Sequence, residues 1–127
     1  MQAFKTRSFA RWADGEGLSD EALVAAVVEM NQGLVDAYLG GKVVKKRMAL
    51  PGRGKRGGAR TLVAFRQGDS AFFIYGFAKN ERANISDREL KALKLLAKDL
   101  LHYPATALRN TIKAGELVEI EVEDDGN

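Results

Sequence analysis

The sequence predicts an α+β domain: a single-layer, mainly antiparallel sheet with its helices packed on one face. Three observations lead there. Runs 60–67 and 71–79 have strand character and flank Gln67-Gly68-Asp69-Ser70, a hairpin signal that makes them antiparallel neighbours. The second run, Ala71-Phe72-Phe73-Ile74-Tyr75-Gly76-Phe77-Ala78, is apolar at both parities and reads as a central strand. The element order is strand, helices, three strands, helix, strand, without internal repeat or low-complexity linker. Helices gathered behind such a sheet leave its other face available for binding.

Taken in order, residues 2–5 form a short first strand. Ser8 caps a brief helix holding Phe9, Ala10, Trp12 and Ala13, which ends around Gly15 and Gly17. Ser19 caps a second helix, with Asp20 and Glu21 in its first turn, where negative charge is favourable. Leu23, Val27, Met30 and Leu34 recur there at helical spacing and form a core stripe. Gly40-Gly41 breaks the chain before a strand over 43–50. Alternation puts Val44, Met48 and Leu50 on one face of it and Lys45 and Arg47 on the other, and Pro51 ends it. In the central strand Phe73, Tyr75, Phe77 and Lys79 share a side. Ser86-Asp87-Arg88-Glu89 is a capping box with Ile85 and Leu90 at the staple positions, and its helix runs through Leu101 until Pro104. A short helix over 106–113 and an edge strand over 117–122 complete the chain.

A chain of 127 residues fits one domain and buries about two-thirds of its unfolded surface. We divide it into a single domain over 1–122 and an acidic tail over 123–127. The absence of cysteine excludes thiol catalysis, Cys-based zinc sites and disulfide frameworks. No apolar run approaches the roughly 20 residues of a membrane span, and the chain opens without a leader pattern, so a cytoplasmic location is expected.

The net charge of +3 conceals a separation. Lys42, Lys45, Lys46, Arg47, Arg53, Lys55, Arg56 and Arg60 fall in one stretch that contains no Asp or Glu, interleaved with Gly52, Gly54, Gly57 and Gly58. Cations on a glycine-rich loop between strands suit a polyanion, and nucleic acid is the commonest one. A phosphate-loop reading fails, because the glycine spacing is wrong, no hydroxyl follows for magnesium, and a strand rather than a helix comes next. The aromatic strand has only a faint likeness to an RNA-recognition sheet. A lone His102 makes a transition-metal site a poor reading, and carboxylate-bound magnesium is the metal chemistry left open. No cofactor is expected.

Lys, Arg and Tyr remain for chemistry. RNA is cut without metal when the ribose 2′-hydroxyl attacks the adjacent phosphate. The site must accept that proton, stabilise added charge on phosphorus and protonate the leaving 5′-oxygen. Arginine suits the second task because it stays charged and binds phosphate through two parallel N–H groups.

Lys45-Lys46-Arg47, Pro51-Gly52-Arg53-Gly54-Lys55, Gly57-Gly58, Arg60-Thr61-Leu62, and the run from Phe72 through Arg82 to Asn84-Ile85-Ser86 together resemble RelE-like toxins of the HigB type. Phe4-Lys5-Thr6, Phe9-Ala10-Arg11-Trp12-Ala13, Gly17-Leu18-Ser19-Asp20 and Leu93-Lys94 fit as well, so the resemblance spans roughly residues 2–122. It implies a microbial-RNase-like sheet and the toxin of a type II toxin–antitoxin pair, an mRNA endonuclease (mRNA interferase) acting on the ribosome. It further implies an antitoxin with a helix-turn-helix domain, through which alone the pair reaches operator DNA. Family positions then assign Arg60 to transition-state phosphate, Lys79 to proton transfer or phosphate binding, and Arg47 to the same catalytic group. Lys45, Lys46, Arg53, Lys55, Arg56 and Asn80 fall to RNA contact. Some relatives carry a C-terminal Tyr, His or Arg in the site, whereas here the tail is Glu- and Asp-rich, so the general acid and base are not assigned. The competing reading is a non-catalytic RNA- or ribosome-binding protein using the same basic sheet.

Overall fold

The computed structural model describes residues 1–52 and 54–122, and for residues 54–56 the backbone alone. The chain runs β1 (Gln2–Thr6), α1 (Arg7–Glu16), α2 (Asp20–Asn31), β2 (Ala37–Gly40), β3 (Val43–Leu50), β4 (Gly54–Arg66), β5 (Ser70–Ala78), α3 (Asp87–Leu101), α4 (Ala105–Lys113) and β6 (Leu117–Ile120). The strands form one six-stranded sheet in the order β2-β3-β4-β5-β1-β6. Only β1 against β5 is parallel. This is the expected α+β fold with a mainly antiparallel sheet, and β5 lies inside it.

The helices divide between the two faces instead of sharing one. Phe9 and Ala13 of α1 and Leu23, Ala26, Val27 and Met30 of α2 bury against Ala3, Val44, Met48, Val63 and Phe73. On the other face Ala97, Leu100 and Leu101 of α3 pack on Phe4, Val43, Leu62, Ala64 and Phe72, with Leu108 and Ile112 of α4 alongside. The reason is visible in β5: a strand apolar at both parities needs cover on both sides. Neither face is therefore free along its whole length.

Local capping follows sequence rules with one correction. Thr6, not Ser8, is the N-cap of α1, and its hydroxyl accepts from the Phe9 N–H at 3.2 Å. Ser19 caps α2 through the Ala22 N–H at 3.2 Å. That helix ends at Asn31, which leaves Leu34 exposed in place of completing the core stripe. The capping box of α3 is complete: Ser86 accepts from the Glu89 N–H at 3.1 Å, and Glu89 accepts from the Ser86 N–H at 2.9 Å. The glycine-rich segment is mostly strand, because β4 starts at Gly54 and pairs back on Leu50. Among the described residues no helix is long and apolar enough to cross a membrane.

Candidate nucleic-acid interface

Strand register builds the site. Arg47 of β3 stands opposite Arg60 of β4, and Arg60 stands opposite Phe77 of β5. One row away, Lys45 stands opposite Leu62, and Leu62 opposite Tyr75. Directly opposed residues point to the same face, so these six share the α3 side of the sheet. The Lys79 N–H donates to the Gly58 carbonyl at 2.9 Å, which carries the β4–β5 ladder one step past Ala78. Lys79 thereby takes the next position on the same face as Phe77. From strand spacing and rise, its Cα lies about 8 Å from that of Arg60.

Two guanidiniums in direct cross-strand register are electrostatically unfavourable in the absence of an anion. Arg47 is exposed and close to Asp36, whose carboxylate accepts from the Arg47 N–H at 2.6 Å and lies 3.7 Å from Nε. Arg60 is only 6% exposed and donates to the Ala59 carbonyl at 3.3 Å among its interactions.

The row lies past the N-terminus of α3, and Arg82 covers its Phe77 end. The guanidinium sits 5.8 Å from the Phe77 ring centroid and donates to both Glu89 oxygens at 2.6 and 3.0 Å. It also donates to Tyr75 Oη at 3.1 Å and to the Asn84 carbonyl at 2.9 Å. All the donors of the fork that face the protein are thus engaged, which ties the 79–86 connection to α3. The hydrogen bond from Arg82, then those from the Ser86 N–H and hydroxyl, hold the Glu89 carboxyl down from 4.5 to about 2. Glu89 in turn raises Arg82. Sequence reasoning did not single out this cluster for the site. The capping box placed Glu89, but nothing in the sequence shows that Arg82 folds back onto it.

Among the residues assigned from sequence, Arg47, Arg60, Lys45 and Lys79 come together on one face. Lys45 Nζ reaches the Asn84 side-chain oxygen at 3.4 Å. Asn80 is exposed just beyond Lys79. Lys46 does not join them. It points to the α2 side, where Nζ meets Glu29 at 2.7 Å and the Leu34 carbonyl at 2.9 Å, with its side chain 7% exposed. It braces β3 against the C-terminal end of α2, on the face opposite Lys45, Arg47 and Arg60. Alternation of 44, 46, 48 and 50 already places it on the core face. Phe73 also parts from Tyr75 and Phe77. Val63 pairs Phe73 while Leu62 pairs Tyr75, so Ile74 is an extra residue that reverses the parity of everything before it. Arg53 and residues 123–127 lie outside the described residues, and of Lys55 and Arg56 only the backbone, on β4, is described.

A sheet of this order, with arginines opposed across β3 and β4 and lysine beside them, can be compared with known families. The family of the RelE toxin of the RelE / RelB toxin-antitoxin system matches residues 1–120. The chain belongs to the RelE toxin family. It is the toxin member of a toxin–antitoxin pair and has a cognate antitoxin as its partner. Among individual curated proteins no sequence matches significantly.

Proposed function

We propose that this RelE toxin is an mRNA endonuclease that acts in the cytoplasm on ribosome-bound messages and requires no metal. The observation that carries the reading is the opposed Arg47–Arg60 pair with Lys45 and Lys79 on the same face. A phosphodiester seated between the two guanidiniums would relieve their repulsion, and the relief grows as the phosphorane gains its second negative charge. The ribose 2′-oxygen attacks phosphorus, the bond to the 5′-oxygen breaks, and the products are a 2′,3′-cyclic phosphate and a 5′-hydroxyl. The proton leaves the 2′-hydroxyl and one returns to the 5′-oxygen. Lys79, exposed at the end of β5, is placed for one of these transfers or for phosphate binding. Lys45 and Asn80 flank the row for substrate, and Arg53, together with Lys55 and Arg56 at the start of β4, are proposed RNA contacts.

The antitoxin is proposed to carry a helix-turn-helix domain, through which the pair reaches operator DNA. The competing reading, a non-catalytic RNA- or ribosome-binding protein, draws support from the burial of Arg60. Mapping RNA 5′ ends after induction separates the two. Wild type should create new 5′-hydroxyl ends within translated messages. Arg60→Ala and Lys79→Ala should each lose at least about a hundredfold in cleavage, the scale at which removal of a transition-state donor is felt. Growth arrest that persists undiminished in the double variant, or arrest by wild type without new ends, overturns the proposal.

A further inference from the structure

A second charged surface lies toward the start of β3, about 16 Å along the strand from Arg47 by strand rise. Lys42, Lys94, Lys98 and His102 rim a groove of about 350 Å³ floored by Gly41, Leu95 and Leu101. None of these seven residues is acidic. Among the described residues no carboxylate pairs with any of the three lysines.

We propose that this groove docks an acidic, amphipathic segment of the cognate antitoxin. The partner class rests on membership of the toxin family, not on the nuclease reading. Three features argue for a built surface. Lys94 and Lys98 lie one turn apart on α3, a like-charge spacing that disfavours the helix unless something anionic meets it. Leu95, between them in sequence, is 62% exposed. Lys42 has φ of +62°, the one positive value among the described non-glycine residues, and follows Gly40 and Gly41 at +86° and +59°. A lysine held left-handed bears a conformational cost that glycine would not. The glycines also give Lys94 its seat: a Cβ at Gly41 would lie 3.2 Å from Lys94 Cγ, and one at Gly40 3.2 Å from Nζ. The lysine stem is laid along the turn with its ammonium at the rim.

The floor selects protein over nucleic acid. An RNA site gains from arginine forks and aromatic stacking platforms; the groove has no arginine and a single imidazole, His102, while it exposes leucine that phosphate cannot use. A second copy of this chain docked symmetrically on the same patch would set lysine against lysine. A segment with alternating apolar and Asp or Glu faces satisfies floor and rim together.

The test uses intact toxin and full-length cognate antitoxin, with affinity read by biosensor at several salt concentrations. Lys94→Glu combined with Lys98→Glu should raise Kd at least about tenfold and flatten its salt dependence. Leu95→Ser should raise Kd severalfold without altering the salt dependence. All these side chains lie on the surface of α3, and melting curves check that the variants fold. In cells, each variant should still arrest growth but resist rescue by the antitoxin. Affinity within twofold of wild type in both variants overturns the proposal. So does loss of ribosome or RNA binding with antitoxin affinity intact, which would give the groove to nucleic acid. Failure of the nuclease reading would show separately, as missing cuts in wild type, and leaves the antitoxin affinities interpretable.

Discussion

Lys46 and Lys45 are adjacent in sequence, and the structure puts them on opposite faces of the sheet. Replacing Lys46 by Met keeps most of the side-chain volume and removes the ammonium that holds Glu29 at 2.7 Å and the Leu34 carbonyl at 2.9 Å. A hydrogen bond involving a charged group contributes roughly 1.5–3 kcal/mol. The Glu29 side chain is 37% exposed and can regain water, which pulls the loss to the low end. We expect Lys46→Met to destabilise the fold by about 1.5 kcal/mol. An unfolding entropy near 2.1 cal/mol/K per residue gives this chain about 0.27 kcal/mol/K, so the melting temperature should fall by roughly 6 °C. Replacing both Lys46 and Glu29 (Lys46→Met with Glu29→Leu) measures by double-mutant cycle how much of the loss belongs to this pair.

Binding to a single-stranded oligoribonucleotide, followed by fluorescence anisotropy across a salt series, provides the second readout. Lys46→Met should leave affinity and salt slope at wild-type values. Lys45→Met should do the reverse: a small change in melting temperature and a salt slope lower by about 0.7, the release of one phosphate contact. The assignment of faces is refuted if Lys46→Met melts with wild type and binds RNA more weakly.

Three further outcomes follow from particular contacts. A Cβ at Gly76 would lie 2.2 Å from Cζ3 of Trp12, so Gly76→Ala should destabilise by about 2 kcal/mol, and Trp12→Leu in the same chain should relieve much of this in chemical denaturation. Glu89 has its folded-state value lowered from 4.5 to about 2, so its pairing stabilises the fold fully above about pH 5 and the benefit fades as pH falls toward 2. Glu89→Gln should therefore melt below wild type at pH 7 and converge with it near pH 2. Arg82→Lys cannot reproduce the fork onto Glu89, Tyr75 and the Asn84 carbonyl, so amide hydrogen exchange over residues 79–86 should accelerate while the rest of the sheet keeps its protection.

How far the sequence disclosed this architecture depends on how local each cause was. The capping box at Ser86, the cap at Ser19 and the central strand over Ala71–Ala78 rest on short-range rules, and each stands. β2 has four residues and no pattern of its own, and it exists only because β3 offers an edge. Gly54, Gly57 and Gly58 look like loop by propensity, yet Gly54 pairs with Leu50 of β3 and the Gly58 carbonyl accepts from the Lys79 N–H, and all three lie within β4. The bulge at Ile74 leaves no mark in composition, so its reversal of Phe73 was out of reach. The covering of both sheet faces and the placement of Lys46 were different. Apolar residues at both parities of β5, and the alternation of Val44, Lys46, Met48 and Leu50, carried that information already.

The same long-range features explain why the cationic row occurs at one corner of the sheet. The apolar face under α3 extends through Val43, Ala64 and Phe72 and ends at Leu62 and Tyr75. Phe77 is 3% exposed yet belongs to neither hydrophobic cluster, being covered by Arg82 instead. The capping box at Ser86 sets where α3 starts, and the Arg82–Glu89 pair anchors the chain that leads into it. The corner is kept open by a helix N-terminus and roofed by an ion pair, so moving the cap should affect the site before it affects the core. Ser86→Ala should destabilise α3 by about 1 kcal/mol and, on the nuclease reading, lower cleavage by more than Leu93→Ala, which removes more buried surface farther along the same helix. Equal cleavage in a Ser86→Ala variant with the expected drop in melting temperature would show that the start of α3 does not position the row.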